Sequence, residues 1–430
     1  MTQAVRVLHD AGDGRVTSIN INGKKFMTPT RTVTHAELER FRNLIVKHQT
    51  QEHLSSIDAP RCEIQETVLD FNPQGLKALA AKNETLGRRA YAISSRNRNG
   101  DYRVKICNIQ LRGQQTVIPL STVRLLTMMQ IKSESLDMIT LPDPSYIMSD
   151  VKELENAYKI TRRTLNQYGL DNMRIVPHLD LKTQPENLRS RIELLLDIGC
   201  EVIAFRHRTG AIASMEQVAE SLHDKDVWLH LSGIPKNLRA SPMVAWMHVL
   251  PMFSFDSLSS YKYPPGRKSR VSNIENGKLD TVNERPDPGG GRGGSGAYGA
   301  PEGLIEIQES VDPFVKLLRF DSKALGFLTR NEHRAILGDD LSCTCFLCRN
   351  HDLDGFYNTY GFHNGRYAKQ KLKNHLAVHE LYDSYAELHS SQVQIKQESY
   401  REYLEEKPAI QKYPKAVPEL VRQTRLDLFS

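Results

Sequence analysis

A chain of 430 residues with 39% hydrophobic and 25% charged residues can bury a large core, which excludes a disordered or fibrous protein. No apolar run is long enough to cross a bilayer, and the opening MTQAVRVLHDAGDG lacks the apolar core of a signal peptide, so no membrane partner is expected. The net charge of +6 permits a polyanionic partner without demanding one.

Short strands open the chain. VRVLH is followed by a turn at AGDG and by VTSININGKKFMTPTRTV, with Asn22–Gly23 as the hairpin turn. Residues 35–49 carry Leu38, Phe41, Leu44 and Ile45 at helical spacing. Residues 74–82 read as a helix that leads into RRAYAISSRN. YRVKICNIQL (102–111) alternates as a strand, 122–133 reads as a helix, and LDMITLPD (136–143) as a buried strand. VKELENAYKITRRTLNQYG is a periodic helix closed by Gly169.

The middle of the chain alternates. Strands are expected at 174–181, 200–207, 226–234 and 253–259. Helices are expected at 185–199, 214–224 and 241–251. Successive strand–helix units argue a parallel sheet with crossover helices. In a barrel of such units the chemistry sits at the C-terminal ends of the strands. The expected strand ends carry Asp143, His178, Asp180, Arg206, His207, His230, Ser232 and Asp256, a polar set denser than a buried sheet needs for stability.

Residues 264–302 break this pattern with PPGRKSRVSN and NERPDPGGGRGGSGAYGAP, which read as a flexible basic insertion. The last 45 residues, 386–430, read as a charged helical tail.

Half of the chain's six cysteines fall in SCTCFLCRNH, where Cys343, Cys345 and Cys348 form C-x-C-x-x-C. His375 and His379 follow in NHLAVHELY. Three thiolates and one imidazole complete a tetrahedron with no open position, a structural zinc site. His379 is the expected fourth ligand. Three buried free thiols are the plainer alternative, and a redox C-x-x-C would not need the third cysteine. Cys62, Cys107 and Cys200 stand alone, which argues against a disulfide framework and for a reducing, cytoplasmic setting.

Several of these segments, in this order, resemble the guanine transglycosylases, which exchange guanine in a nucleic acid for a 7-deazaguanine. The segments are INGKKFMTPT, LDMITLPD, ENLRSRIELLLDIGCEVIAF, WLHLSGI, FSFDSLSS and CTCFLC…HELY. The resemblance implies an α/β fold, a (β/α)8 TIM barrel with a zinc-binding subdomain near the C-terminus. The barrel would occupy residues 1–263 and resume at 303–385 with the Cys3His subdomain. It implies Asp256 as the carboxylate that attacks the sugar C1′ in a double displacement, and Asp143 as acceptor for the guanine edge. His178, Asp180, Arg206, His230 and Lys262 would line the substrate.

The partners implied are DNA or tRNA and a 7-deazaguanine base, with a dimer or partner subunit allowed by the family. The match departs from the family at YAISSRNRNG, where either Ser94 takes the place of a second catalytic aspartate or Asp101 is the nearest carboxylate. Phe205-Arg206-His207-Arg208 replaces a glycine-rich turn. Those departures point to the DNA-modifying branch rather than the tRNA enzymes. They also keep a non-catalytic, nucleic-acid-binding paralogue as the alternative.

Overall fold

A computed structural model of the chain describes residues 4–10, 12–48, 62–97, 102–111, 118–142, 151–208, 210–238, 240–260, 314, 317–363 and 366–417. Asp143, Lys262 and the basic insertion at 264–302 lie outside them.

The chain starts with a three-stranded antiparallel sheet: β1 (Val5–Asp10), β2 (Arg15–Ile21) and β3 (Lys24–Met27). Asn22 and Gly23 both have positive φ, as a two-residue hairpin whose twist matches its strands requires. Eight parallel strands then follow around a barrel in chain order: β4 (Thr30–Thr34), β5 (Ile64–Phe71), β6 (Val104–Leu111), β7 (Met138–Pro142), β8 (Arg174–Asp180), β9 (Val202–Arg206), β10 (Trp228–Ile234) and β11 (Ser257–Ser260). β11 pairs back onto β4, with Ser257 opposite Thr30, and closes the ring. Between β6 and β7 the seam is stitched at Asp137. Its backbone N–H donates to the Lys105 carbonyl at 2.9 Å, and its carboxylate accepts from Lys105 N at 2.7 Å.

The crossovers are helices packed on the outside: α1 (His35–His48), the pair α2 (Pro73–Ala81) and α3 (Asn83–Asn97), α4 (Leu120–Ile131), α5 (Lys152–Gln167), α6 (Pro185–Asp197) and α7 (Ile212–Leu222). Gly169 and Gly199 end α5 and α6 in the left-handed region that a helix stop favours. This is the TIM barrel that the resemblance implies, built from the parallel strand–helix units that the alternation predicts.

Three expectations are corrected. The helix expected at 241–251 is instead two short 3-10 turns, Trp246–His248 and Leu250–Phe253, the second carrying Pro251 near its start. The strand expected at 253–259 starts only at Ser257, because Ser254 takes φ 64° and turns the chain before it joins the sheet. The tail does not begin at 386. It continues α10 (Lys369–Lys396), whose buried residues include Leu388, Ser391 and Ile395.

The barrel interior is apolar at its N-terminal end. Ile64, Val104, Met138, Val176, Val202 and Trp228 meet Val5, Ile19, Ile21 and Phe26 of the capping sheet. Phe26 sets its edge on Trp228 with ring centroids 5.7 Å apart. The second body of core lies between the barrel and its helices.

After the barrel come β12 (Arg319–Asp321), β13 (Gly326–Leu328), α8 (Arg330–Leu337), α9 (Leu353–Gly361), the two-residue strands β14 (Phe362–His363) and β15 (Arg366–Tyr367), and then α10. α11 (Tyr400–Glu405) and α12 (Pro408–Lys412) finish the described chain. α8 begins at a capping box in which Thr329 and Glu332 satisfy each other's backbone donors. α10 ties these parts to the barrel. Leu381 packs with Val33 and Leu38, Gln392 donates to the Pro29 carbonyl at 3.0 Å, and Tyr385 donates to Glu63 at 2.6 Å.

Candidate metal centre and barrel interior

Cys343, Cys345 and Cys348 follow α8, and His379 faces them from α10. All four are buried, and their ligand atoms lie within 4.8 Å of one another. His379 Nδ1 is 3.3 Å from Cys348 Sγ and 3.6 Å from Cys345 Sγ. Its other nitrogen, Nε2, donates to the Phe320 carbonyl at 2.7 Å, which fixes the tautomer and leaves Nδ1 to face the sulfurs. The sulfurs form no disulfide. They compete for protons: neighbouring thiols push Cys343 up and pull Cys348 down, the latter aided by His379. A shared cation would remove that competition, so the donor set fits a tetrahedral thiophilic metal.

His375, one turn earlier on α10, stacks on Tyr360 at 4.3 Å and bonds the Lys371 carbonyl, so it points away from the cluster. Arg319, fully buried, donates to Asp321 at 2.9 Å and reaches Cys348 Sγ at 3.5 Å. The lone cysteines are of another kind: burial pushes the Cys62 and Cys200 thiols up to about 12.

Above the apolar floor the barrel interior turns polar. Side chains alternate along each strand, so Glu66, Thr140, His178, His230 and Ser257 face inward one layer above the floor, with Asn108 one step higher, opposite Val68. His178, Ala204, His230 and Ser257 are register partners on four successive strands. Asp180, Arg206 and Ser232 form the next layer, towards the C-terminal mouth.

The sequence-expected residues divide here. His178, Asp180, Arg206 and His230 do gather at this end. His178 Nε2 lies 2.8 Å from Ser232 Oγ, whose own proton goes to the Phe205 carbonyl. His178 is therefore the donor in that pair. Burial, with His230 and Arg206 nearby, lowers its pKa to about 4, so it is neutral at pH 7. Asp180 is engaged by Arg208 through Nε at 2.8 Å and by a second, shorter bond. His207 accepts from Trp246 Nε1 at 3.0 Å.

Asp256 is the main correction. It precedes β11, level with Leu229 at the start of β10, and so stands at the N-terminal end of the barrel and not at its mouth. Its side chain is fully buried against Arg15, which approaches through Nε at 3.2 Å and through Nη2. Thr28 Oγ1 donates to it at 2.9 Å and Leu229 N at 2.8 Å. The remaining Arg15 donors cap the carbonyls of Leu222, His223, Lys225 and Val227. This is a buried ion pair that locks the capping sheet to the barrel floor, on the end where stability resides. Ser94 is corrected too: it lies within α3, outside the barrel.

The sequence reading passed over β5, and with it Glu66. This carboxylate is fully buried. It accepts from Asn108 Nδ2 at 2.7 Å, from Thr32 at 3.4 Å and, at shorter range, from Ser259. His230 Nε2 stands 3.6 Å away. Burial alone would raise its pKa, but the His230 contact and charge and the Ser259 and Asn108 bonds outweigh it and hold the group below the ordinary glutamate value. The signal was present in IQETVLDF, an eight-residue β-prone run ended by the Asn72 cap and Pro73 of α2.

An open cleft of about 680 Å³ lined by Tyr158, Arg162 and Arg163 lies on the outer face of α5, away from both the metal cluster and the strand ends.

No family model and no curated protein matches this sequence. Among solved structures, the chain is similar to a putative phosphonomutase from Burkholderia cenocepacia J2315. The identity is 11% and the TM-score 0.33, over 57% of this chain and 90% of that one. It is also similar to a type I 3-dehydroquinate dehydratase from Clostridium difficile, at 12% identity and a TM-score of 0.32, over 60% and 95%.

Proposed function

We propose that this chain is a zinc-braced guanine transglycosylase that exchanges guanine in DNA for a 7-deazaguanine base at the C-terminal mouth of its barrel. The observation that carries this reading is the pairing of a complete eight-strand barrel with a buried Cys3His cluster set beyond its last strand. That is the arrangement the sequence resemblance implies. Zinc is the ion that three thiolates and one imidazole suit best, and in such a closed set it braces the fold rather than reacting. The mouth supplies what a flipped purine needs: Asp180, Arg206, His178 and Ser232 offer donors and acceptors to its edges. DNA is preferred to tRNA because the chain diverges from the tRNA-type pattern, as at Phe205-Arg206-His207-Arg208; the preference rests on that divergence and on no residue that reads deoxyribose.

The test is incubation of the protein with labelled guanine and, separately, duplex DNA and bulk tRNA. Incorporation into DNA supports the proposal, and incorporation into tRNA alone moves the substrate. A second reading is favoured by the burial of Asp256 under Arg15. With the matching nucleophile withdrawn, the chain would be a paralogue or partner subunit that binds nucleic acid without exchanging its bases. Binding to DNA with no incorporation into either polymer would support it.

A further inference from the structure

The barrel interior contains a carboxylate that neither the resemblance nor the strand-end argument had named. Glu66 faces inward from β5, one layer above the apolar floor and beneath Val68 and Asp70, which are half-buried at the open end of the same strand. Charge on a buried carboxylate is costly unless it is paired or hydrogen-bonded. Among the described residues no lysine or arginine forms an ion pair with Glu66. Its charged-group contact is His230, and the rest of its shell is Thr32 from β4, Asn108 from β6 and Ser259 from β11. His178 on β8, with Asp180 and Arg206 nearby on β8 and β9, lies within electrostatic reach of Glu66.

The orientation of His230 is fixed from behind. Ser257 Oγ lies 2.8 Å from its Nδ1 and accepts from Trp228 Nε1 at 2.7 Å. Ser257 then either gives its proton to Nδ1 or accepts one from it. In the first case the ring carries its proton on Nε2; in the second Nδ1 carries a proton and Nε2 presents either an N–H or a lone pair. The Glu66 carboxylate 3.6 Å away favours the arrangement with an N–H on Nε2, which has no hydrogen-bond partner among the described residues. The result is a chain of contacts, Trp228–Ser257–His230–Glu66, that ends on a fully buried carboxylate in the barrel interior.

Resting on the base-exchange reading above, we propose that Glu66 is the nucleophile of this barrel and that His230 is the positioning residue that keeps it ionised and aimed. In the first step a Glu66 oxygen forms a bond to the sugar C1′ while the C1′–N9 bond breaks. The bond pair leaves with guanine, which takes a proton from water at the mouth. In the second step the incoming base loses its N–H proton to water and attacks C1′, and the Glu66 carboxylate leaves with the pair it brought. One base replaces another, and no proton or electron is gained or lost overall. His230 is too close to Glu66 to serve on the opposite face of the sugar, since two groups flanking a reacting C1′ stand about 5 Å or more apart. Its role is therefore electrostatic.

The test is to trap wild-type protein on DNA or tRNA under exchange conditions, denature it, digest it and map the nucleic-acid-linked peptide by mass spectrometry. The expected adduct is on the peptide containing Glu66, absent in Glu66→Gln. His230→Asn should retain the adduct but move the acid limb of the exchange profile to higher pH, which a packing defect alone would not do. Exchange with the adduct on another residue overturns the assignment and leaves the base-exchange reading standing. No exchange by wild type with either polymer overturns both.

Discussion

Asp256→Asn separates a structural from a chemical role for the residue that the sequence resemblance favoured. The substitution keeps shape and removes charge. Each carboxylate oxygen now accepts two donors: Oδ1 from Arg15 Nε and Thr28, Oδ2 from Arg15 Nη2 and Leu229 N. Whichever oxygen becomes the amide NH2, two N–H or O–H groups face a donor, and the Arg15 charge is left unpaired at a fully buried position. Removing one partner of a buried pair costs about 3–5 kcal/mol. That is a large part of a native stability of about 5–15 kcal/mol. At about 2.1 cal/mol/K of unfolding entropy per residue, a chain of 430 residues shifts by about 1 °C per kcal/mol, so the melting temperature should fall by about 3–6 °C. The apolar double substitution Arg15→Met with Asp256→Leu should recover most of that loss, because it removes both charges together. Thermal and urea unfolding followed by circular dichroism measure both. An Asp256→Asn protein as stable as wild type, yet unable to exchange bases, would refute the structural reading and return Asp256 to the chemistry.

Replacing Cys345 by Ser should abolish zinc binding and reduce solubility together, as metal analysis of the purified variant would show. Arg319→Met should release metal to a chelator about ten-fold faster than wild type, with Arg319→Lys between them, because the guanidinium reaches the Cys348 sulfur. The buried imidazoles of His178, His207 and His248, lowered by desolvation first to about 4, 4 and 3, should make the fold acid-sensitive. Unfolded histidine takes a proton near pH 6.5, so the unfolded chain binds more protons below that value and stability falls from there towards pH 4. Each group contributes about 1.4 kcal/mol per pH unit in that window. A urea midpoint that is the same at pH 7.5 and pH 5 would contradict this.

The parts legible in the sequence were those with local causes. The strand–helix alternation from 136 to 234 shows because each parallel strand is buried on both faces and α5 and α6 end on their own glycines. The three cysteines show because their spacing is itself the site geometry. His379 was legible over His375 through the HELY that begins with it, and the α9–α10 packing adds the physical reason, since stacking on Tyr360 takes His375 away. β5 was passed over because Glu66 and Asp70 occupy its inward positions, where an apolar run would have announced a strand. Asp256 was misplaced for two reasons. FSFD reads as strand until Ser254 is known to turn, and its partner Arg15 is far away in sequence.

That distance has a consequence for how the chain is made. Arg15 and Asp256 are separated by 241 positions, and the carbonyls that Arg15 caps belong to residues 222–227. The capping sheet leaves the ribosome ahead of the barrel, yet the charge that holds it in place is synthesised after seven of the eight barrel strands. Until then Arg15 has no carboxylate, and the floor of the barrel has no latch. Closure by β11 on β4 and neutralisation of Arg15 therefore fall together at the end of folding, the slow non-local event that contact order predicts. A nascent chain halted before residue 256 should remain protease-sensitive in its N-terminal strands, and one released a few residues later should not.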